Sequence, residues 1–372
     1  MAQLSAIYRI DNYIDTFAPG HYARVLAAED LRTGENVAFK VMRPEHVQAD
    51  GEARWEFRAF GNEAEILDAL RVSPHVVKLR DCGYLSTIAE APSGGQIESF
   101  GDDISGFVAG MTTYAQAGWR PYLALENLPR NENLFYAMKP AQAGTRRRLP
   151  GEEGITLALQ FANLLALSHG QNIVYLDHKL EHVYWDGVTL KVIDFNSSKQ
   201  LKNGNQSIEL TRDVHNLCVG ILYPIFTGMS PQRTALRPQA GGIDVVEKRY
   251  SDIHELDFLM EPTLSRALQD LLQRGARQEI GTVQEFAAQL QEVAALHGRD
   301  FPGTQTSAAS RQARDNLRKG LSLLREGEAA IREARDLFRD SLIIDGITED
   351  LEDELRRLVK AVNEVVNNRV IP

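Results

Sequence analysis

Two aspartates, Asp177 and Asp194, stand seventeen positions apart, each at the end of an apolar or β-branched stretch. Ile173, Val174 and Tyr175 precede the first; Leu190, Val192 and Ile193 precede the second. Between them, Val183-Tyr184-Trp185 and Leu190-Lys191-Val192-Ile193 have the composition of short strands, joined through Asp186-Gly187, a dipeptide that favours hairpin turns. A hairpin with one aspartate before it and one after it brings two carboxylates to a single cleft, and Lys179 adds an amine two residues beyond the first. Groups of this kind take up protons and hold cations. A second lysine, Lys40, ends the apolar run Val37-Ala38-Phe39. It needs an anionic partner or a route to water, and strand alternation alone would give it a solvent face.

This pattern resembles the protein-kinase family, in which a catalytic loop is followed by a metal-binding Asp-Phe-Gly. The family's His-Arg-Asp-Leu-Lys-Pro-Glu-Asn reads here as Tyr175-Leu176-Asp177-His178-Lys179-Leu180-Glu181-His182, and its Asp-Phe-Gly as Asp194-Phe195-Asn196. Val37-Ala38-Phe39-Lys40 is similar to the strand whose lysine contacts the nucleotide phosphates. The resemblance implies ATP as nucleotide and Mg²⁺ or Mn²⁺ as metal. It makes Asp177 the residue that accepts or positions the hydroxyl proton, Lys179 the cation beside the transferred phosphoryl group, and Asp194 the main metal ligand. His182 stands where the family has a metal-binding Asn. Glu63 becomes the partner of Lys40, with Glu65 as the alternative register. Gly20, Val25 and Ala38 would cover the nucleotide, with Ala18 and Ala23 standing at the other two glycine places of the Gly-rich loop. Leu125, Glu126 and Leu128 would border the base. From Ser197 to Arg212 there is no Ala-Pro-Glu and little room for a peptide platform, and the catalytic-loop Arg is missing, so activation by loop phosphorylation is not expected.

These residues have to be carried by particular elements. Residues 7 to 42 read as strands, with turns at 18–21 and 33–36. Phe60, Ala64, Leu67 and Leu70 have helical spacing, and Val76 to Leu79 reads as the next strand. Residues 84–119, rich in Gly, Ser and acids, read as an inserted loop or mobile hairpin. Residues 121–129 read as a strand and hinge. Helices are expected over 154–169, 213–228, 264–273 and 282–294, the second beginning as the family's central buried helix does, Asp213-x-x-x-Leu217. The fold expected is α+β: a two-lobed protein-kinase-like fold with a small β-rich lobe (1–128) and a helical lobe (129–300). A linker (301–310) and a small helical extension (311–372) would follow. The extension carries apolar stripes at Leu317, Leu321, Leu324, at Ile331, Ala334, Phe338, Leu342, and at Ile347, Leu351, Leu355, Leu358, Val362. It resembles a tetratricopeptide-like helical pair plus a closing helix. As a single pair it suits docking on a neighbour more than a peptide-binding array.

The composition narrows the classes further. A net charge of -10 argues against a nucleic-acid or anionic-membrane binder. Two cysteines cannot build a disulfide framework and point to a reducing, cytoplasmic setting. No apolar run reaches the roughly 18 residues that span a bilayer. Three functions fit: a Ser/Thr protein kinase, a pseudokinase that binds nucleotide as a scaffold or regulator, and a small-molecule kinase. A protein substrate or partner protein would be engaged through the C-terminal helices.

Overall fold

The computed structural model describes residues 1–13, 22–47, 50–90, 92–139, 146–201, 206–232, 236–237, 243–296, 326–327, 329–344 and 349–368. The chain divides into two compact units, residues 1–257 with 270–288, and residues 258–269 with 289–372. The class is mixed α+β.

The first unit begins with strand β1 (Ala2–Gln3), a helical turn α1 (Leu4–Ile7), and strands β2 (Tyr8–Tyr13), β3 (Ala23–Asp30) and β4 (Glu35–Met42). Helix α2 (Trp55–Ala69) follows, then β5 (Leu79–Leu85), β6 (Gln96–Ser99), helix α3 (Ile104–Gln116) and β7 (Arg120–Glu126). The seven strands form one antiparallel sheet in the order β1-β6-β5-β7-β4-β3-β2. Period-two alternation divides its faces. Leu26, Ala28, Val37, Phe39, Val41, Tyr122 and Ala124 form one core. Val25, Ala38, Lys40, Leu123 and Leu125, lying in between, share the other face. Cross-strand pairing sets Lys40 beside Val25 and Leu123, and Ala38 beside Leu125. The buried carboxylate of Asp81 ties the sheet together, accepting hydrogen bonds from Tyr8, Tyr122, Ser99 and the Arg32 guanidinium.

Residues 84–119 are not a loop. They hold β6 and the three-turn helix α3, whose Ile104, Phe107, Met111 and Ala115 recur on one buried face. The side chain of Asp103 accepts from the Gly106 N–H at 2.9 Å and starts the helix. Helices α2 and α3 approach so closely that a Cβ on Gly61 would stand 2.1 Å from the Met111 methyl. The strand expected at 76–79 shrinks to a single parallel bridge between Val76 and Val192, and β5 starts only at Leu79.

The helical part opens with α4 (Leu134–Ala137) and α5 (Gly151–Gly170), the latter matching the helix expected at 154–169. Strand β8 (Ile173–Val174) leads to a 3₁₀ turn, Leu180–His182. Strands β9 (Val183–Trp185) and β10 (Leu190–Val192) pair as the expected hairpin. Gly187 takes a φ of 96° in its turn, and the Asp186 carboxylate accepts from the N–H groups of Val188 and Thr189. Strand β11 (Lys199–Gln200) pairs with β8. The helix expected from 213 is a composite: α6 (Gln206–Asn216), a π-helical turn Leu217–Leu222, and α7 (Tyr223–Thr227), closed by Gly228 in left-handed conformation. Helices α8 (Ile243–Lys248), α9 (Arg266–Ala276) and α10 (Val283–Leu296) follow. Both cysteines, Cys82 in β5 and Cys218 in the π turn, are buried as free thiols.

In the carboxy-terminal stretch residues 329–341 are helical (α11), as is α12 (Glu349–Asn368). The linker 301–310 and the stripe of Leu317, Leu321 and Leu324 lie outside the described residues. No helix among the described residues is long and apolar enough to cross a membrane.

Candidate functional site

Lys40 is the anchor of the site. Its strand turns it off the Phe39 core and toward α2, so that it is buried rather than solvated. Its Nζ lies 2.6 Å from Glu63 Oε2 and 2.7 Å from Asp194 Oδ1. Glu63, not Glu65, faces inward, because the apolar stripe of α2 fixes the helix rotation and Phe60, Ala64 and Leu67 share its buried side. Two carboxylates hold Lys40 protonated against the desolvation that would discharge it. Burial would also push Asp194 up, but Lys40 and His182 outweigh it and hold the carboxyl far below its usual range.

The second carboxylate arrives from the other side of the hairpin. Burial works against ionisation of Asp177, and the charges of His182, Lys179 and Arg249 overcome it, leaving its pKa below normal. Lys179 Nζ stands 3.3 Å from Asp177 Oδ2. His182 lies between the aspartates, with Nε2 3.0 Å from Asp194 Oδ2 and Nδ1 3.6 Å from Asp177 Oδ2. One ligand atom from each of Asp177, His182 and Asp194 falls within 4.8 Å of the others.

The backbone around both aspartates is specially held. Leu176 and Asp194 have φ of 66° and 62°, a left-handed conformation that non-glycine residues rarely adopt. Buried Asp213 fixes the first, accepting from the N–H groups of Tyr175 and Leu176 at 2.7 and 2.8 Å and from His169 Nε2 at 3.0 Å. The Tyr175 hydroxyl donates to the Ile193 carbonyl at 2.8 Å, linking the two aspartate segments. On α2, the Asn62 amide donates to the Ser198 carbonyl at 2.9 Å and holds the chain beyond Asn196.

No protein-family model and no curated protein matches this chain. What the site can do therefore rests on its own geometry.

Of the residues singled out by sequence, Lys40, Glu63, Asp177, Lys179, His182 and Asp194 form one connected cluster. Val25, Ala38 and Leu125 line the sheet face beside it. Leu128 is half-buried two residues past β7, and Glu126 is otherwise engaged: its N–H donates to the Lys78 carbonyl and its carboxylate takes Lys191 Nζ at 2.8 Å. Gly20 and Ala18 lie outside the described residues. Three contributors carried no signal in the sequence reading. Tyr22 is buried, packed edge-on against Trp55 and Phe60, and lies within electrostatic reach of Lys40, Glu63 and Asp194. Arg249 donates from NH1 to Asp177 Oδ1. Asn62 holds the segment after Asn196. Helix periodicity could reveal Glu63, and the resemblance of Val37-Ala38-Phe39-Lys40 singled out Lys40; no periodicity links Arg249 to a partner 72 positions away.

Proposed function

We propose that the protein is a two-lobed, protein-kinase-like phosphotransferase that moves the γ-phosphoryl group of ATP to a hydroxyl, in the first instance a protein Ser/Thr. The carrying observation is the Lys40–Glu63–Asp194 convergence, with His182 bridging from Asp194, 3.0 Å from its Nε2, toward Asp177, 3.6 Å from its Nδ1. Lys40, kept charged, would pair with nucleotide phosphates. Glu63 keeps that amine aimed at the cleft. Asp177, ionised, would accept a hydrogen bond from the acceptor hydroxyl and align it. Lys179 would offset charge on the transferred group. Two carboxylates and one imidazole nitrogen fit a small divalent cation, and Asp177, His182 and Asp194 are the residues that would hold it. Such a cation supplies charge neutralisation to phosphates. The buried free thiols support a reducing, cytoplasmic setting, and the C-terminal helices remain the proposed surface for a partner protein.

A second reading has its own observation. Asp177 is only 4% exposed and already paired with two cationic side chains, Lys179 and Arg249, while buried Tyr22 lies within electrostatic reach of Lys40. A pseudokinase that binds nucleotide without turnover would look the same. A phosphotransfer experiment with labelled ATP and Mg²⁺ or Mn²⁺ separates the two. Turnover by the wild type that is lost in Asp177→Ala supports the enzyme. A nucleotide-dependent rise in Tm without turnover supports the pseudokinase, and no rise at millimolar nucleotide removes both.

A further inference from the structure

Arg249 belongs to the part of the site that an acceptor must reach, and its segment is built into that place. Val246, on the preceding helix α8, packs against Val174 and Leu176 on the approach to Asp177. Tyr250, the next residue, donates its hydroxyl to the His178 carbonyl at 2.8 Å, and its own carbonyl lies 3.0 Å from His215 Nε2. Gly220 makes room for the Tyr250 ring, since a Cβ there would stand 2.6 Å from it. The guanidinium between these anchors is 6% exposed; NH1 bonds Asp177 Oδ1, and NH2 is buried with no hydrogen-bond partner among the described residues.

An acceptor hydroxyl can bind Asp177 only by sharing it with, or taking it from, Arg249. Taking it leaves a buried cation without a counter-charge, which is strongly unfavourable. An acceptor that brings its own anion removes that obstacle. The idle NH2 completes the planar fork with which arginine holds a carboxylate or phosphate in two parallel bonds. The overall charge of -10 would repel such a ligand at long range, so selection has to come from the local cations, Arg249 and Lys179.

We propose that Arg249 is a substrate-recognition residue, and that the acceptor of this site carries a carboxylate or phosphate close to its reacting hydroxyl. This rests on the phosphotransferase reading. Two sources offer that chemistry, a serine flanked by acidic residues and a small phosphorylated or carboxylated alcohol.

The test is a binding measurement on the full chain with Mn²⁺ and a non-hydrolysable ATP analogue. The probes are a fluorescent serine peptide flanked by aspartates, its asparagine counterpart, and glycerol 3-phosphate against glycerol as unlabelled competitors. Wild type should prefer one anionic probe over its neutral match by about tenfold or more. Arg249→Gln should bring that ratio close to one, and Arg249→Lys, which keeps the charge but loses the fork, should fall between. Competition by glycerol 3-phosphate with no peptide preference identifies the small-molecule source; peptide preference identifies the polypeptide. Equal binding of charged and neutral probes by wild type overturns the proposal, as does an unchanged ratio in both variants. Should Arg249→Gln fail to fold by circular dichroism, the Arg249→Lys ratio decides. The nucleotide-induced Tm shift, followed in parallel, separates the two ideas: its loss with the anion ratio intact sinks the phosphotransferase reading and spares the anion site.

Discussion

Replacing Lys40 with alanine takes away the charge that Glu63 and Asp194 share and leaves Glu63 ionisable in the interior with nothing opposite it. Loss of one partner of so buried a pair should cost about 3–5 kcal/mol in urea unfolding. Replacing both Lys40 and Glu63 with apolar residues of similar size should cost much less than the sum of the two single changes. Strict additivity would mean that the two do not depend on one another. His182 is the other informative residue. Imidazole nitrogen suits Mn²⁺ better than Mg²⁺, so thermal stabilisation of the ATP complex should be larger with Mn²⁺. His182→Asn should move the preference toward Mg²⁺; an identical metal preference in that variant would show that His182 is no ligand. Lys40 and His182 were legible through the motifs they occupy, Val37-Ala38-Phe39-Lys40 and the run from Asp177 to His182, since strand alternation alone gives Lys40 a solvent face and His182 lies in a 3₁₀ turn. Glu63 over Glu65 is a matter of helix rotation, and the apolar stripe gives the rotation. Arg249 and Tyr22 were not legible, because their roles come from tertiary placement of irregular segments.

Among the elements, α3 shows a signal that was present and outweighed. Its apolar positions have helical spacing and Asp103 stands at the N-cap, yet the Gly- and Ser-rich residues before it drew the whole stretch toward a loop. Asp103→Ala should lower stability by about 1 kcal/mol and Phe107→Ala by about 3–5 kcal/mol, both read from denaturant midpoints at unchanged slope. A near-neutral Phe107→Ala would mean that α3 is not packed on the sheet. The π turn could not have been foreseen, since it follows from contacts that the sequence does not display: Gly220 lies 2.6 Å, by its would-be Cβ, from the His178 carbonyl. The same composite helix carries Asp213 in its first segment, and the ionised form of Asp213 is favoured by His169 and by backbone N–H groups in spite of burial. A depressed folded pKa gives stability that is complete above the ordinary aspartate range near 4 and lost as pH falls through the folded value. Asp213→Asn should therefore be less stable at neutral pH and flatter in its acid limb. An acid limb as steep as wild type would place the coupling elsewhere.

At the scale of the molecule, the α+β class and the sheet-then-helix order were readable from alternating and 3.6-residue periods in turn. The division into units was not, because residues 258–269 join a unit whose remainder starts at 289, and no compositional break marks that return. A chain ending near residue 300 should keep the nucleotide-induced Tm rise if residues 1–257 and 270–288 suffice for binding; loss of the rise with a folded circular-dichroism spectrum would assign the second unit a part in it.

The two buried thiols give this molecule a pair of internal clocks. Burial pushes both far above the usual thiol range, so neither offers a reactive thiolate while its surroundings stay closed. A maleimide or disulfide reagent can modify Cys82 only when the middle of the sheet opens, and Cys218 only when the π turn leaves Gly275, where a Cβ would stand 2.3 Å from its sulfur. Each labelling rate then reports the opening frequency of its own region. With nucleotide and metal bound, both rates should slow together if the sheet and the central helix open as one cooperative body, and separately if the cleft between them is where the protein breathes.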